Sequence, residues 1–118
     1  MTPETIKFLH HIIRRHNIDV MHTETEAEYT IEIDDGTVFG FSCIHTTDDR
    51  GRQGRFYAAT INDNVIAEGF CTENGKPNTT THQLMELVRS CSNKLLTQEI
   101  KARQTGLLKQ LEANQYHN

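Results

Sequence analysis

The sequence predicts an α+β fold: an antiparallel β-meander of four to five strands flanked by an N-terminal helix and a long C-terminal helix. Three observations carry that expectation. Residues 28–34 alternate apolar and polar side chains and run into Asp35-Gly36, a strong two-residue hairpin signal in which both positions are expected at positive φ. Apolar runs at 37–45, 56–61 and 65–71 follow, separated by turn-forming residues. Apolar stripes at helical spacing occupy both ends of the chain.

The first helix is expected from about Pro3 to His16. Thr2 can cap it, and Pro3 suits its first position. Ile6, Leu9 and Ile13 form a stripe that Phe8 and Ile12 widen. Arg14-Arg15 fall in the last turn, where positive charge complements the helix dipole. Residues 17–27 are transitional: Ile18, Val20 and Met21 offer a short strand, and Glu24, Glu26 and Glu28 a solvated acidic face. From Glu28 to Asp34, Tyr29, Ile31 and Ile33 point one way and the polar residues the other, as in a half-buried strand. In the partner strand Thr37–His45, Phe39, Phe41 and Cys43 share one face, and Val38, Gly40, Ser42 and Ile44 the other. Neither face is purely polar, so this strand is expected to be central.

A polar loop over Thr46–Gly54 comes next, then a strand over Arg55–Ile61, a tight turn at Asn62-Asp63-Asn64 and a strand over Val65–Cys71. Gly75 and Pro77 place a loop at Thr72–Asn78. The last helix begins at a Thr80/Gln83 capping-box pattern. Leu84, Leu87, Val88, Cys91 and Leu95 form its core stripe, with Leu96 beside it. A second stripe, Ile100, Leu107, Leu108 and Leu111, exceeds what one small sheet needs. It predicts packing against another subunit, with 100–118 as an oligomerisation extension ending in a polar, frayed tail at Glu112–Asn118. Gly106 is a candidate break or bend.

A length of 118 residues suits one domain. Hydrophobic residues make up 36% and charged residues 24%, with a mean hydropathy of −0.60, so the core should be modest. A homodimer or higher oligomer would help to stabilise it. The net charge of −4 argues against tight binding to duplex nucleic acid and leaves room only for a local basic patch. Cys43, Cys71 and Cys91 are odd in number and widely spaced, which predicts reduced thiols in a cytoplasmic protein. No apolar run approaches the roughly 20 residues of a membrane span, and no signal peptide is apparent. Asn78-Thr79-Thr80 matches a glycosylation sequon that means little without secretion.

Cys43, His45, Cys71 and His82 would make a four-ligand zinc set if the fold gathered them, but their spacing matches no familiar module. Cys43 continues the row of Phe39 and Phe41, where a thiol behaves as a small hydrophobe, so no metal and no cofactor are expected. There is no GxSxG, P-loop, GxGxxG or HExxH, and Asp34-Asp35 and Asp48-Asp49 are explained by a turn and by neighbouring arginines. No catalytic residue is therefore assigned.

The anionic-ligand reading is the favoured one. Arg50, Arg52 and Arg55 cluster within six residues at a mobile hairpin tip. Guanidinium forks match phosphate geometry, and Gly51 and Gly54 would let the backbone approach a ligand. His45 enters from the preceding strand, and Phe56 and Tyr57 could offer a stacking surface. The candidate ligand-binding residues are Arg50, Arg52, Arg55, His45 and Tyr57.

The helix–strands–helix order resembles that of double-stranded-RNA-binding domains, but Asn78–Gln83 at the second helix start lacks the lysine cluster expected there. The size, the acidity and the absence of motifs resemble phage-encoded accessory proteins that disable host defences. The expected function is therefore a non-catalytic binding or inhibitor protein of a phage or mobile element. It would act as a homo-oligomer that sequesters a phosphate-bearing, nucleotide-like ligand or blocks a host protein. The alternatives are a nucleic-acid-binding regulator using Arg14, Arg15 and the same loop, and a small metal-dependent hydrolase.

Overall fold

A computed structural model describes the backbone of residues 1–115, with every side chain among them except Leu108 and those of 111–115. The elements run α1 (Pro3–Arg15), β1 (Asp19–His22), β2 (Glu26–Glu32), β3 (Val38–Thr47), β4 (Gln53–Ile61), β5 (Asn64–Thr72) and α2 (Thr79–Gln115). The strands form one antiparallel sheet in the order β1-β2-β3-β4-β5. This is the α+β meander that the sequence predicts, with β3 at its centre.

Local chemistry sets the boundaries. Thr5 N donates to Thr2 Oγ1 at 3.3 Å, Pro3 opens α1, and Arg14 and Arg15 close it. At α2 the capping residue is Asn78 rather than Thr80. Its Oδ1 accepts from Thr81 N at 2.8 Å and its carbonyl from His82 N at 2.9 Å. Gly106 does not break α2, because one exposed helical glycine costs only about 1 kcal/mol relative to alanine.

Two of the hairpins share a design that a two-residue reading misses. Gly36 N donates to Ile33 O and Ile33 N to Thr37 O, with Gly36 at φ +82°. Gly51 N donates to Asp48 O and Asp48 N to Arg52 O, with Gly51 at φ +77°. Each is a tight turn whose fourth residue needs the left-handed region, and Asp35 does not adopt it. The β4–β5 connection is the true two-residue turn, with Asn62 and Asp63 at φ 49° and 67°. Asn62 Oδ1 also accepts from Val38 N at 2.9 Å and ties this turn to β3.

Both helices cover one face of the sheet. Leu9, Ile12 and Ile13 of α1, and Leu84, Leu87 and Cys91 of α2, pack on Tyr29, Ile31, Phe39, Phe41, Tyr57 and Ala59. The first turn of α2 rests on β5 at Gly69, where an added Cβ would lie 3.0 Å from Thr81 Cβ and 3.3 Å from Thr81 Cα. Thr81 is fully buried, and its hydroxyl has no hydrogen-bond partner among the described residues.

The other face of the sheet is uncovered. Strand alternation places Asp19, Glu26, Glu28, Glu32 and Glu68 on it, with no lysine or arginine from any strand. Ile44, Phe56 and Phe70 are directly paired across β3, β4 and β5 and form an apolar row there. The net charge of −4 thus conceals a molecule with an acidic outer sheet face and its cations elsewhere.

At about 1.5 Å per residue, the 37 residues of α2 span roughly 55 Å. The core takes the helix only as far as Leu95. Beyond it Leu96, Ile100 and Leu107 are exposed at 58%, 48% and 60%. Leu108 and Leu111 of the predicted second stripe, and the predicted tail Glu112–Asn118, lie outside the described side chains.

Candidate functional site

The predicted loop contracts to five residues, Asp48–Arg52, because β3 runs on to Thr47 and β4 starts at Gln53. This separates the candidate arginines. Asp48 organises the turn: its Oδ1 accepts from Arg50 N at 3.0 Å and Arg52 N at 2.8 Å, and its Oδ2 accepts from Arg52 Nε at 2.8 Å. The Arg52 backbone amide, then its side chain, hold the Asp48 carboxyl below the usual carboxylate range. Arg52 is thus engaged within the turn, and Arg50 is exposed beside it.

Arg55 lies inside β4. It is paired with His45 on one side and Cys71 on the other, while Tyr57 is paired with Cys43 and Gly69. These odd-numbered positions continue the row of Phe39 and Phe41, so all of them face the helix-covered side. They emerge past the start of α2, where a hollow of about 330 Å³ opens between His45, Arg55, Tyr57, Cys71, Glu73 and Met85. A second hollow, of about 390 Å³, adjoins it, and Arg55 and His45 line both. The structure therefore gathers Arg55, His45 and Tyr57, and leaves Arg50 and Arg52 at the turn.

The electrostatics follow from the partners. His45 Nε2 lies 3.0 Å from Glu73 Oε1, so the one carboxylate of the first hollow is already engaged. Arg55 makes no ion pair among the described residues. Burial, reinforced by Cys43, raises the Tyr57 phenol above its usual range, so it stays a neutral hydroxyl donor at neutral pH. Phe56 stands on the opposite face of the sheet, so it and Tyr57 form no common stacking platform. Gly51 serves the turn, and Gly54 serves a close approach of β4 to β5 rather than to a ligand.

Cys43, His45 and Cys71 share a face but not a coordination sphere, since Arg55 separates His45 from Cys71. His82 sits on α2, 3.8 Å from Glu86. Among the described residues, no three His, Cys, Asp or Glu side chains converge as metal ligands. Cys71 Sγ lies 3.4 Å from the carbonyl oxygens of both Thr72 and Gly75, which share its single proton. Cys91 is fully buried, and burial pushes its thiol up to about 12. Because the folded state favours the neutral thiol, its contribution to stability is full below the ordinary thiol range. It is lost as pH climbs from about 9 towards about 12. Cys91→Ala should flatten that alkaline loss, read as urea midpoints across the range; an unchanged slope would contradict it.

Among the described residues, no helix is long and apolar enough to cross a membrane. Comparison with known protein families, curated proteins and solved structures returns no match to this chain.

Proposed function

We propose that this chain is a non-catalytic sequestering protein of the phage or mobile-element accessory kind, working in the cytoplasm as a homo-oligomer. It holds the phosphate of a nucleotide-like small ligand in the hollow beside Arg55. The observation that carries this reading is Arg55 itself. Its guanidinium has no carboxylate partner among the described residues, and it lines a hollow with His45 and the neutral Tyr57 hydroxyl. A guanidinium fork without a counter-ion suits a bidentate phosphate, and the phenol adds a donor that carries no charge. Two of the three thiols lend no support to nucleophilic chemistry: Cys91 is buried and Cys71 lies against carbonyl oxygens.

The test uses ADP as probe in isothermal titration. Arg55→Ala should weaken binding about tenfold or more, the weight of one charge-assisted contact. The double variant Arg50→Ala/Arg52→Ala should bind as the native chain does. Equal losses in both variants, or none with Arg55→Ala, would remove the hollow from consideration.

Self-association is supported by the uncovered stripe at Leu96, Ile100 and Leu107. Helical stability comes mostly from packing of an apolar face, which these three side chains lack within one copy, and a second copy supplies that cover. Light scattering should return at least twice the chain mass of 13.5 kDa. Leu96→Gln/Ile100→Gln/Leu107→Gln should return it to one, whereas a native chain that weighs as a monomer rules the proposal out.

A further inference from the structure

α1 and α2 meet through apolar residues where Leu9, Ile12 and Ile13 face Leu87 and Cys91. Towards the end of α1 the character of the contact changes, and a groove of about 480 Å³ opens between the helices. On α2 its wall is Ser90, Lys94, Thr97 and Lys101, spaced four, three and four residues apart on one helical face, with Asn93 and Gln98 beside them. On α1 it is His10 and Arg14, one turn apart, with Ile13 as its one apolar residue. Such a stripe between paired helices is ordinarily apolar; here it is polar and cationic.

We propose that this groove is an anion site for a small phosphorylated ligand of nucleotide size, separate from the Arg55 hollow and not dependent on that reading. The first support is charge. Arg14, Lys94 and Lys101 line the groove without a single carboxylate, in a chain with 16 acidic side chains against 12 lysines and arginines. The second is the partner record: Arg14 and Lys101 make no ion pair among the described residues, although acidic side chains outnumber lysines and arginines. Lys94 donates to the carbonyl of His16 and so caps α1, and burial lowers its pKa. The dipole of α1 accounts for Arg14 and Lys94, but Lys101 lies beyond the reach of that helix end.

The His10 ring is held against α2: Ser90 Oγ lies 2.9 Å from both Glu86 O and His10 Nδ1. The serine has one proton, and a carbonyl can only accept it. Both contacts are satisfied only if His10 Nδ1 donates to Ser90, so the neutral ring presents Nε2 as an acceptor, and the donors to an anion are the cations alone. The volume exceeds that of a lone phosphate, and the acidic outer sheet face opposes a polynucleotide wrapping the molecule.

The experiment titrates pyrophosphate into the full chain and follows amide chemical shifts. Saturable shifts at His10–Arg14 and Ser90–Lys101 are expected. Arg14→Ala/Lys101→Ala should weaken them about a hundredfold, tenfold for each cation removed. Arg14→Gln/Lys101→Gln should repeat that loss with the side-chain bulk largely retained, and both positions are exposed, so the fold survives. Arg55→Ala should leave these shifts untouched, which separates the groove from the hollow. No saturable shift in the native chain, undiminished binding in both double variants, or tighter binding of single-stranded oligothymidine would each overturn the proposal.

Discussion

Phe41→Ala should cost about 3–5 kcal/mol, the range for emptying a buried aromatic site. The position concentrates the packing of the fold. Phe41 is 1% exposed in the central strand, paired with Tyr29 on one side and Ala59 on the other, beneath the apolar stripes of both helices. Neighbouring strands cannot collapse into the space without leaving their registers, so most of the cavity remains. Against a total of about 5–15 kcal/mol for a domain, that is a large share. Urea titration should show a lower midpoint with an unchanged slope. Phe56→Ala on the uncovered face is the internal comparison and should lose far less. Equal losses would mean that the outer face is buried too.

The second large effect is expected at Gly54. A Cβ there would collide with the Cys71 carbonyl oxygen and lie 2.8 Å from both Phe70 Cζ and Thr72 Cα. Two of these three atoms are backbone, which cannot rotate away as a side-chain tip can. Gly54→Val must therefore part β4 from β5 where Gly54 pairs with Thr72 and Arg55 with Cys71. Overpacking of this kind costs about 1–3 kcal/mol or more. It also spreads the strand pair that carries Arg55, so ADP binding should fall with stability. Hydrogen exchange should show lost protection over 70–73, and protection equal to the native chain would refute the argument.

Much of the fold was legible because burial on one side of a strand writes itself into sequence parity. Tyr29 and Ile31, and Phe39, Phe41 and Cys43, declare the helix-covered face before any coordinate is known. The same parity carries His45 and, across the register, Arg55 and Tyr57, so three of the five candidate residues come together. Arg50 and Arg52 do not, because proximity in sequence says nothing about a turn that folds around Asp48. Gly51 and Gly54 looked alike as letters, yet one meets a dihedral demand and the other a steric one. The α1–α2 groove went unread for a different reason. It joins His10 to Ser90 across 80 positions, and only the polar spacing of Ser90, Lys94, Thr97 and Lys101 hinted at it.

The unsupported reach of α2 has a practical consequence in solution. The radius of gyration is 18.1 Å and the extents are 67 × 36 × 22 Å, whereas a compact chain of this length has a radius of about 13–14 Å. A lone copy therefore tumbles as an elongated body and elutes ahead of spherical standards of its own mass. Gel-filtration volume would by itself report a pair where only one copy is present, so the subunit count must come from a measurement that weighs the particle.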